Sequence, residues 1–197
     1  MRAALPISAL SKLDVRLSPS GAQKRTSAQV GINRRPAIMH DMSDPTSTVV
    51  SRVINAPREA VYRAFLDQDA LVAWLPPGSM RGVVHAFDGR EGGSFRMSLL
   101  YPEGDRSSRG KTSESTDTFR GGFVKLIPYE RIVWAIEFES ADPSFAGEMI
   151  VSTTLAPAGS GTKVTILCEN IPRGIRPEDN EAGCQSTLKK LASFIDG

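Results

Sequence analysis

"FDGREGGSFRM", Phe87–Met97, sets three glycines and a cluster of charges directly ahead of an apolar alternation. Two structures compete for such a stretch. A phosphate-cradling loop needs a strand, then glycines, then a helix whose N-terminal amides face the anion. Here Gly92 and Gly93 lead into "SFRMSLLY", where Phe95, Met97 and Leu99 alternate with Ser94, Arg96 and Ser98. A period of two is a strand. No lysine-serine or lysine-threonine pair stands directly after these glycines either. The stretch therefore reads as a β-hairpin, with Asp88-Gly89 supplying the turn and Gly92-Gly93 a bulge or sharp bend.

Strand-length runs continue on both sides of this hairpin. Ahead of it, "TSTVVSRVINA" is β-rich and ends at Pro57, which opens a short helix, "PREAVYRAFLD". A second short helix, "DALVAWLPPG", is stopped by Pro76 and Pro77. "RGVVHAFD" then enters the hairpin, and "DTFRGGFVKLI", "RIVWAIEFES", "EMIVSTTLA" and "TKVTILCEN" follow it, separated by turn clusters such as "IPYE" and "PAGSG". At the end, Ala182, Gln185, Leu188, Leu191 and Ile195 recur at three and four, the spacing of a long amphipathic helix. Its start is acidic, and Lys189 and Lys190 lie toward its end, as the helix dipole favours.

The expected fold class is α+β. A curved antiparallel sheet of six to seven strands wraps the C-terminal helix, with two short helices after the first strand. Residues 46–197 form this domain. Residues 1–45 read differently: proline, serine, glycine, arginine and glutamine dominate from Ser18 onward, and no apolar periodicity survives. Such a composition does not offset its ordering entropy, so a disordered basic extension is expected.

The 197 residues are 40% hydrophobic and 23% charged, the balance of a protein with a real core. The net charge of +2 is unevenly spread. Seven basic against three acidic side chains put +4 on residues 1–45, leaving −2 for the domain. A slightly acidic body argues against nucleic acid as a partner. No apolar run approaches the ~20 residues of a membrane span, so no membrane partner is expected. Two cysteines without CxxC spacing read as reduced and buried, which points to the cytoplasm.

Order and spacing of these segments resemble the activator of heat-shock-protein-90 ATPase homologue family. That family is a branch of the START/Bet v 1-like (SRPBCC) superfamily. "FDGREGGSFRM" matches its glycine segment, and "VINAPREAVYRAFLD" and "ALVAWLPP" its first strand and helices. "FRGGFVKLIPYERIVW" and "GTKVTILCENIP" match later strands. The resemblance covers residues 47–195 and implies the helix-grip fold, in which the sheet and the last helix enclose a hydrophobic pocket. Two positions depart from the pattern: Cys168 stands where many relatives have histidine, and "NEAGCQ" replaces a tryptophan-rich helix start.

In that fold the inward parity of the strands selects the pocket wall. Phe95, Met97, Phe119, Phe123, Trp134 and Phe138 are expected from the earlier strands. Met149, Val151 and Cys168 come from the later ones, Trp74 closes one end, and Cys184 and Leu188 come from the helix. The ligand is a small hydrophobic molecule, and no cofactor or metal is expected. His40 and His85 are the only histidines, and two cysteines do not complete a four-ligand site. Catalytic residues are not evident. The carboxylates Glu137 and Glu139 share the solvent parity, and Glu114 and Asp117 fall in a loop.

Three functions remain open at this stage. One is a ligand carrier, sensor or sequestering protein. Another is a cyclase- or aromatase-like enzyme using Arg96 or Thr153. The third, implied by the family name, is a co-chaperone-like domain with a protein partner. The long polar segment "PEGDRSSRGKTSESTD" is either a rim at the pocket mouth or a tolerated insertion.

Overall fold

The computed structural model describes residues 47–104 and 110–196. The extension expected over 1–45 and the middle of the long polar segment lie outside the described residues.

Seven strands form one antiparallel sheet. They are β1 (Thr48–Ile54), β2 (Arg81–Phe87), β3 (Ser94–Leu100), β4 (Thr116–Ile127), β5 (Arg131–Phe138), β6 (Met149–Ala158) and β7 (Gly161–Glu169). Their order across the sheet is β1-β7-β6-β5-β4-β3-β2. Strands β2 to β7 are thus a continuous meander, and β1 closes onto the last of them, with Thr48 opposite Cys168. Helices α1 (Arg58–Leu66) and α2 (Gln68–Trp74) follow β1, and α3 (Pro177–Asp196) ends the domain. This is the helix-grip α+β fold.

The Phe87–Met97 stretch is a hairpin connection. Asp88 N–H donates to the Ser94 carbonyl at 2.9 Å, closing the loop. Its tight turn spans Arg90–Gly93, where Gly93 N–H donates to the Arg90 carbonyl, and Gly92 holds the positive φ of 79° that a type II turn requires. The turn therefore sits two residues beyond Asp88-Gly89. Gly93 is needed for a different reason: a Cβ there would lie 2.2 Å from the Asp88 carbonyl oxygen. The sheet's irregularities fall elsewhere, between Val84 and Ala86 and between Phe123 and Lys125.

Two helix-end details also differ from the sequence expectation. Pro57 is the cap residue of α1 rather than its first helical residue. No basic residue lies in the last turn of α3. Lys190 instead donates to the Pro76 carbonyl at 2.8 Å, beside Thr187 Oγ1 to the Leu75 carbonyl and the Gly78 N–H to Ser186 Oγ, both at 2.8 Å. These bonds satisfy backbone groups that Pro76 and Pro77 leave outside any helix. They fix the loop after α2 against α3.

The concave face of the sheet meets α1, α2 and α3 in one core. Its centre is a run of edge-to-face aromatic contacts. Phe123 meets Phe87, Phe95 and Trp134 with ring centroids 5.7, 5.5 and 5.9 Å apart, and Trp134 continues to Phe65, which packs on Trp74. Gly121 makes room for this packing, because a Cβ there would lie 2.7 Å from the Phe95 ring. On the convex face Arg96 pairs with Glu139 and Arg120 with Glu137. His85 Nε2 lies 2.8 Å from Ser98 Oγ on that same face. Glu137 and Glu139 are therefore ion-pair partners on the outside of the grip, as their parity implied, and Arg96 is excluded from the interior.

Candidate functional site: the cavity between sheet and helix

The aromatic run fills only one end of the wedge between sheet and helix. The other end is open and forms a cavity of about 770 Å³. Eight of the twelve wall residues expected from sequence border it: Trp74, Phe119, Trp134, Phe138, Met149, Val151, Cys168 and Cys184. Phe95, Met97, Phe123 and Leu188 do not. Their parity is inward as expected, but they are 4%, 1%, 1% and 1% exposed and belong to the packed core. Period-two alternation identifies the face of a sheet, and does not say how far along the wedge a residue lies.

Helix α3 supplies one wall with Asn180, Gly183, Cys184 and Thr187. Gly183 is informative, because a Cβ built there meets nothing within 4 Å. A glycine inside a helix costs stability, and here it leaves open space facing the cavity. Thr153 also borders the cavity and is buried.

A polar group of residues sits on the wall near β4. Asp117 is 1% exposed and turns inward with Phe119. Its carboxylate accepts hydrogen bonds from the Lys111 backbone N–H, the Lys111 ammonium and the Tyr101 hydroxyl. The ammonium also lies 5.3 Å from the centre of the Phe138 ring. Ser140 Oγ donates to the Lys111 carbonyl at 2.6 Å, so the segment carrying Lys111 is tied to the end of β5. Burying a carboxylate is costly unless it is paired and hydrogen-bonded, and all three donors converge here. Asp117 belongs to β4, as the run beginning with it implied, and not to the loop in which its carboxylate was also placed. The signal was present, since Asp117, Phe119 and Phe123 share one parity. Lys111 and Tyr101 carried no comparable signal.

At the rim, Arg176 pairs with Asp179 at 2.7 Å near the start of α3. The pair holds the Asp179 carboxyl below its ordinary value. The cavity is thus lined mainly by apolar side chains and bears charged pairs at two places on its wall and rim.

Cys168 and Cys184 face each other across the wedge with sulfurs 3.8 Å apart. Sharing a proton with Cys184 lowers the Cys168 thiol to about 7, helped by Asn180 and Thr48 and opposed by burial. The same sharing, with burial, pushes the Cys184 thiol up. Among the described residues no cluster of three or more His, Cys, Asp or Glu is arranged to hold a metal ion. Nor is any helix among them long and apolar enough to cross a membrane.

With this geometry defined, comparison with known proteins is decisive for the family. The profile of the activator of Hsp90 ATPase homolog 1-like proteins matches residues 55–196. The chain belongs to this family. Among solved structures, a Chromobacterium violaceum protein shares 37% identity, with a TM-score of 0.68 over 78% of this chain and 99% of that one. A Nitrosomonas europaea protein, at 21% identity, covers 79% of this chain and 97% of its own, with a TM-score of 0.58. DynU16, from the dynemicin biosynthetic locus, is 20% identical with a TM-score of 0.56, over 77% of this chain and 47% of its own. The last two show the fold alone. No curated protein matches the chain. The family assignment accounts for the helix-grip architecture and leaves the occupant of the cavity to be argued from its walls.

Proposed function

We propose that this Hsp90-activator-homologue domain binds a small, largely apolar molecule between its sheet and α3, as a carrier, sensor or sequestering protein. The observation that carries this is the cavity itself. Ligand sites are clefts or cavities lined mainly by apolar and aromatic side chains. A space of about 770 Å³ walled by Trp74, Phe119, Trp134, Phe138 and Met149 is of the size that takes a drug-sized ligand. The charged pairs at wall and rim suit a ligand with one polar end. A reducing compartment, the cytoplasm, suits two cysteines that carry no disulfide.

The test is titration with an environment-sensitive apolar dye, comparing the wild type with Gly183→Leu. Met97 is unsuited to a cavity-filling test because it lies in the packed core. Gly183 borders the cavity and has open space at its Cβ, so a leucine side chain there takes up cavity volume. Expected are one dye site, loss of affinity of at least about tenfold in the variant, and an unchanged fold. Dye affinity unaffected by the substitution, or no binding at all, would overturn the proposal.

One observation favours a second reading, an enzyme of the cyclase kind acting in the same cavity. Asp117, Lys111 and Tyr101 are acid–base groups held together against an apolar space, an arrangement suited to proton transfer. Native mass spectrometry distinguishes the two. A molecule that co-purifies and leaves unchanged indicates a carrier. One whose mass changes with the wild type, and does not with Tyr101→Phe, indicates an enzyme.

A further inference from the structure

We propose that Cys168 and Cys184 are a peroxide-oxidisable dithiol that closes into a disulfide joining β7 to α3 across the cavity. This does not depend on what the cavity binds.

Four residues from three elements make the site. Cys168 lies on β7 opposite Thr48 of β1. Asn180 and Cys184 are one turn apart on α3, and Asn180 Nδ2 donates to Thr48 Oγ1 at 2.6 Å. The helix is thereby held in register over the two strands, with the Cys184 sulfur 3.8 Å from that of Cys168. A disulfide needs about 2.05 Å between sulfurs, so under 2 Å of approach must be shared between two side chains. These are the protein's only cysteines. A pair placed by chance among the buried side chains of two distant segments would rarely meet sulfur to sulfur.

Both residues border the cavity, which gives a small oxidant its route, since Cys168 is otherwise buried. The thiolate is the nucleophile in such chemistry. The hydrogen bond with Cys184, helped by Asn180 and Thr48, favours the Cys168 thiolate against the opposing effect of burial. The reaction balances in two steps. The Cys168 thiolate attacks one oxygen of hydrogen peroxide, the O–O bond breaks, and the hydroxide released takes up a proton as water, leaving a sulfenic acid. The Cys184 sulfur then attacks the Cys168 sulfur. The S–S bond forms, the S–O bond breaks, and the departing hydroxide leaves as water with the Cys184 proton. Two thiols and one peroxide give one disulfide and two waters. A thiol reductant reverses the change by exchange.

The product ties together the two walls of the wedge. The covalent bond fixes the width of the cavity at its Cys168 end.

The experiment treats the full chain with hydrogen peroxide and follows it by intact mass and peptide mapping. Expected is the loss of two hydrogens, one Cys168–Cys184 cross-linked peptide, a raised melting temperature, and full reversal by dithiothreitol. In Cys184→Ser the cross-link is absent, and Cys168 gains oxygen instead. Its oxidation at neutral pH slows in Cys184→Ala, which removes the hydrogen-bonding partner of the Cys168 sulfur altogether. Cys184→Ala serves as the second variant, so that a folding defect in one does not decide the result. Thiols that survive a dose consuming free glutathione would overturn the proposal, as would a disulfide formed between two chains.

Discussion

At the scale of single residues, Gly93 shows what a glycine is for in this hairpin. The Asp88 carbonyl closes to within 2.2 Å of where a Cβ would stand, so the backbone itself would have to move. Gly93→Val is expected to destabilise the protein by roughly 1–3 kcal/mol, the range for a local backbone conflict. Thermal or denaturant unfolding measures this, and an unchanged midpoint would show that the turn relaxes without cost. The need for glycine was legible in the sequence, while the turn's position was not. Asp88-Gly89 and Gly92-Gly93 are equally good turn pairs locally, and the choice is made by pairing with β4, where Gly92 N–H and Phe123 N–H both bond across. Asp117 teaches the complementary lesson. Its inward parity was readable, but the donors that make its burial tolerable come from residues that carried no pattern.

At the scale of elements, α3 combines a packed half and an open half. Leu188 and Leu191 are fully buried, whereas Gly183, one turn earlier, looks onto empty space. Gly183→Ala removes the backbone-entropy penalty of a mid-helix glycine and meets no neighbour. It should stabilise the domain by about 0.5–1 kcal/mol. A denaturant melt checks this, and destabilisation would mean that the helix backbone needs glycine's freedom there. Sequence periodicity defined the helix and its apolar stripe, because every turn contributed to the signal. It did not separate core from cavity: Phe95, Met97, Phe123 and Leu188 satisfy the same alternation as Phe119 and Trp134. That distinction depends on how the aromatic run from Phe87 to Trp74 stacks, a three-dimensional property of six segments.

At the scale of the whole molecule, the convex face and the rim set the response to acid. Arg96 hydrogen bonds hold the Glu139 carboxyl below its ordinary value, and the Leu126 N–H with Lys125 does the same for Glu91. A carboxyl depressed in the folded state contributes its stability above the unfolded value, near 4.5, and loses it as pH falls through the lower folded value. The denaturation midpoint should therefore stay level from neutral pH down to about 4.5 and fall below it, with a shallower fall in Glu139→Gln. These groups are at the surface, so the effect is modest and weakened by salt. A fall beginning above pH 5 would point to another group. The remainder of the chain gives a separate expectation. The composition of residues 1–45 supports no core, so a chain beginning at Asp44 should melt within a few degrees of the full one. The strand order and class of the domain were readable because consecutive strands joined by short turns admit few topologies. The cavity's volume was not, since it depends on the packing of every wall at once.

The bonds from Ser186, Thr187 and Lys190 to the loop after α2 span 108 to 114 residues of chain. During synthesis, the sheet and both short helices leave the ribosome before the helix that completes the pocket. Until α3 arrives, the part of the concave face beside β1 lacks its cover, and closing it requires contacts across most of the domain. The cavity proposed above as a binding site therefore lacks its α3 wall until that helix has been made and has packed.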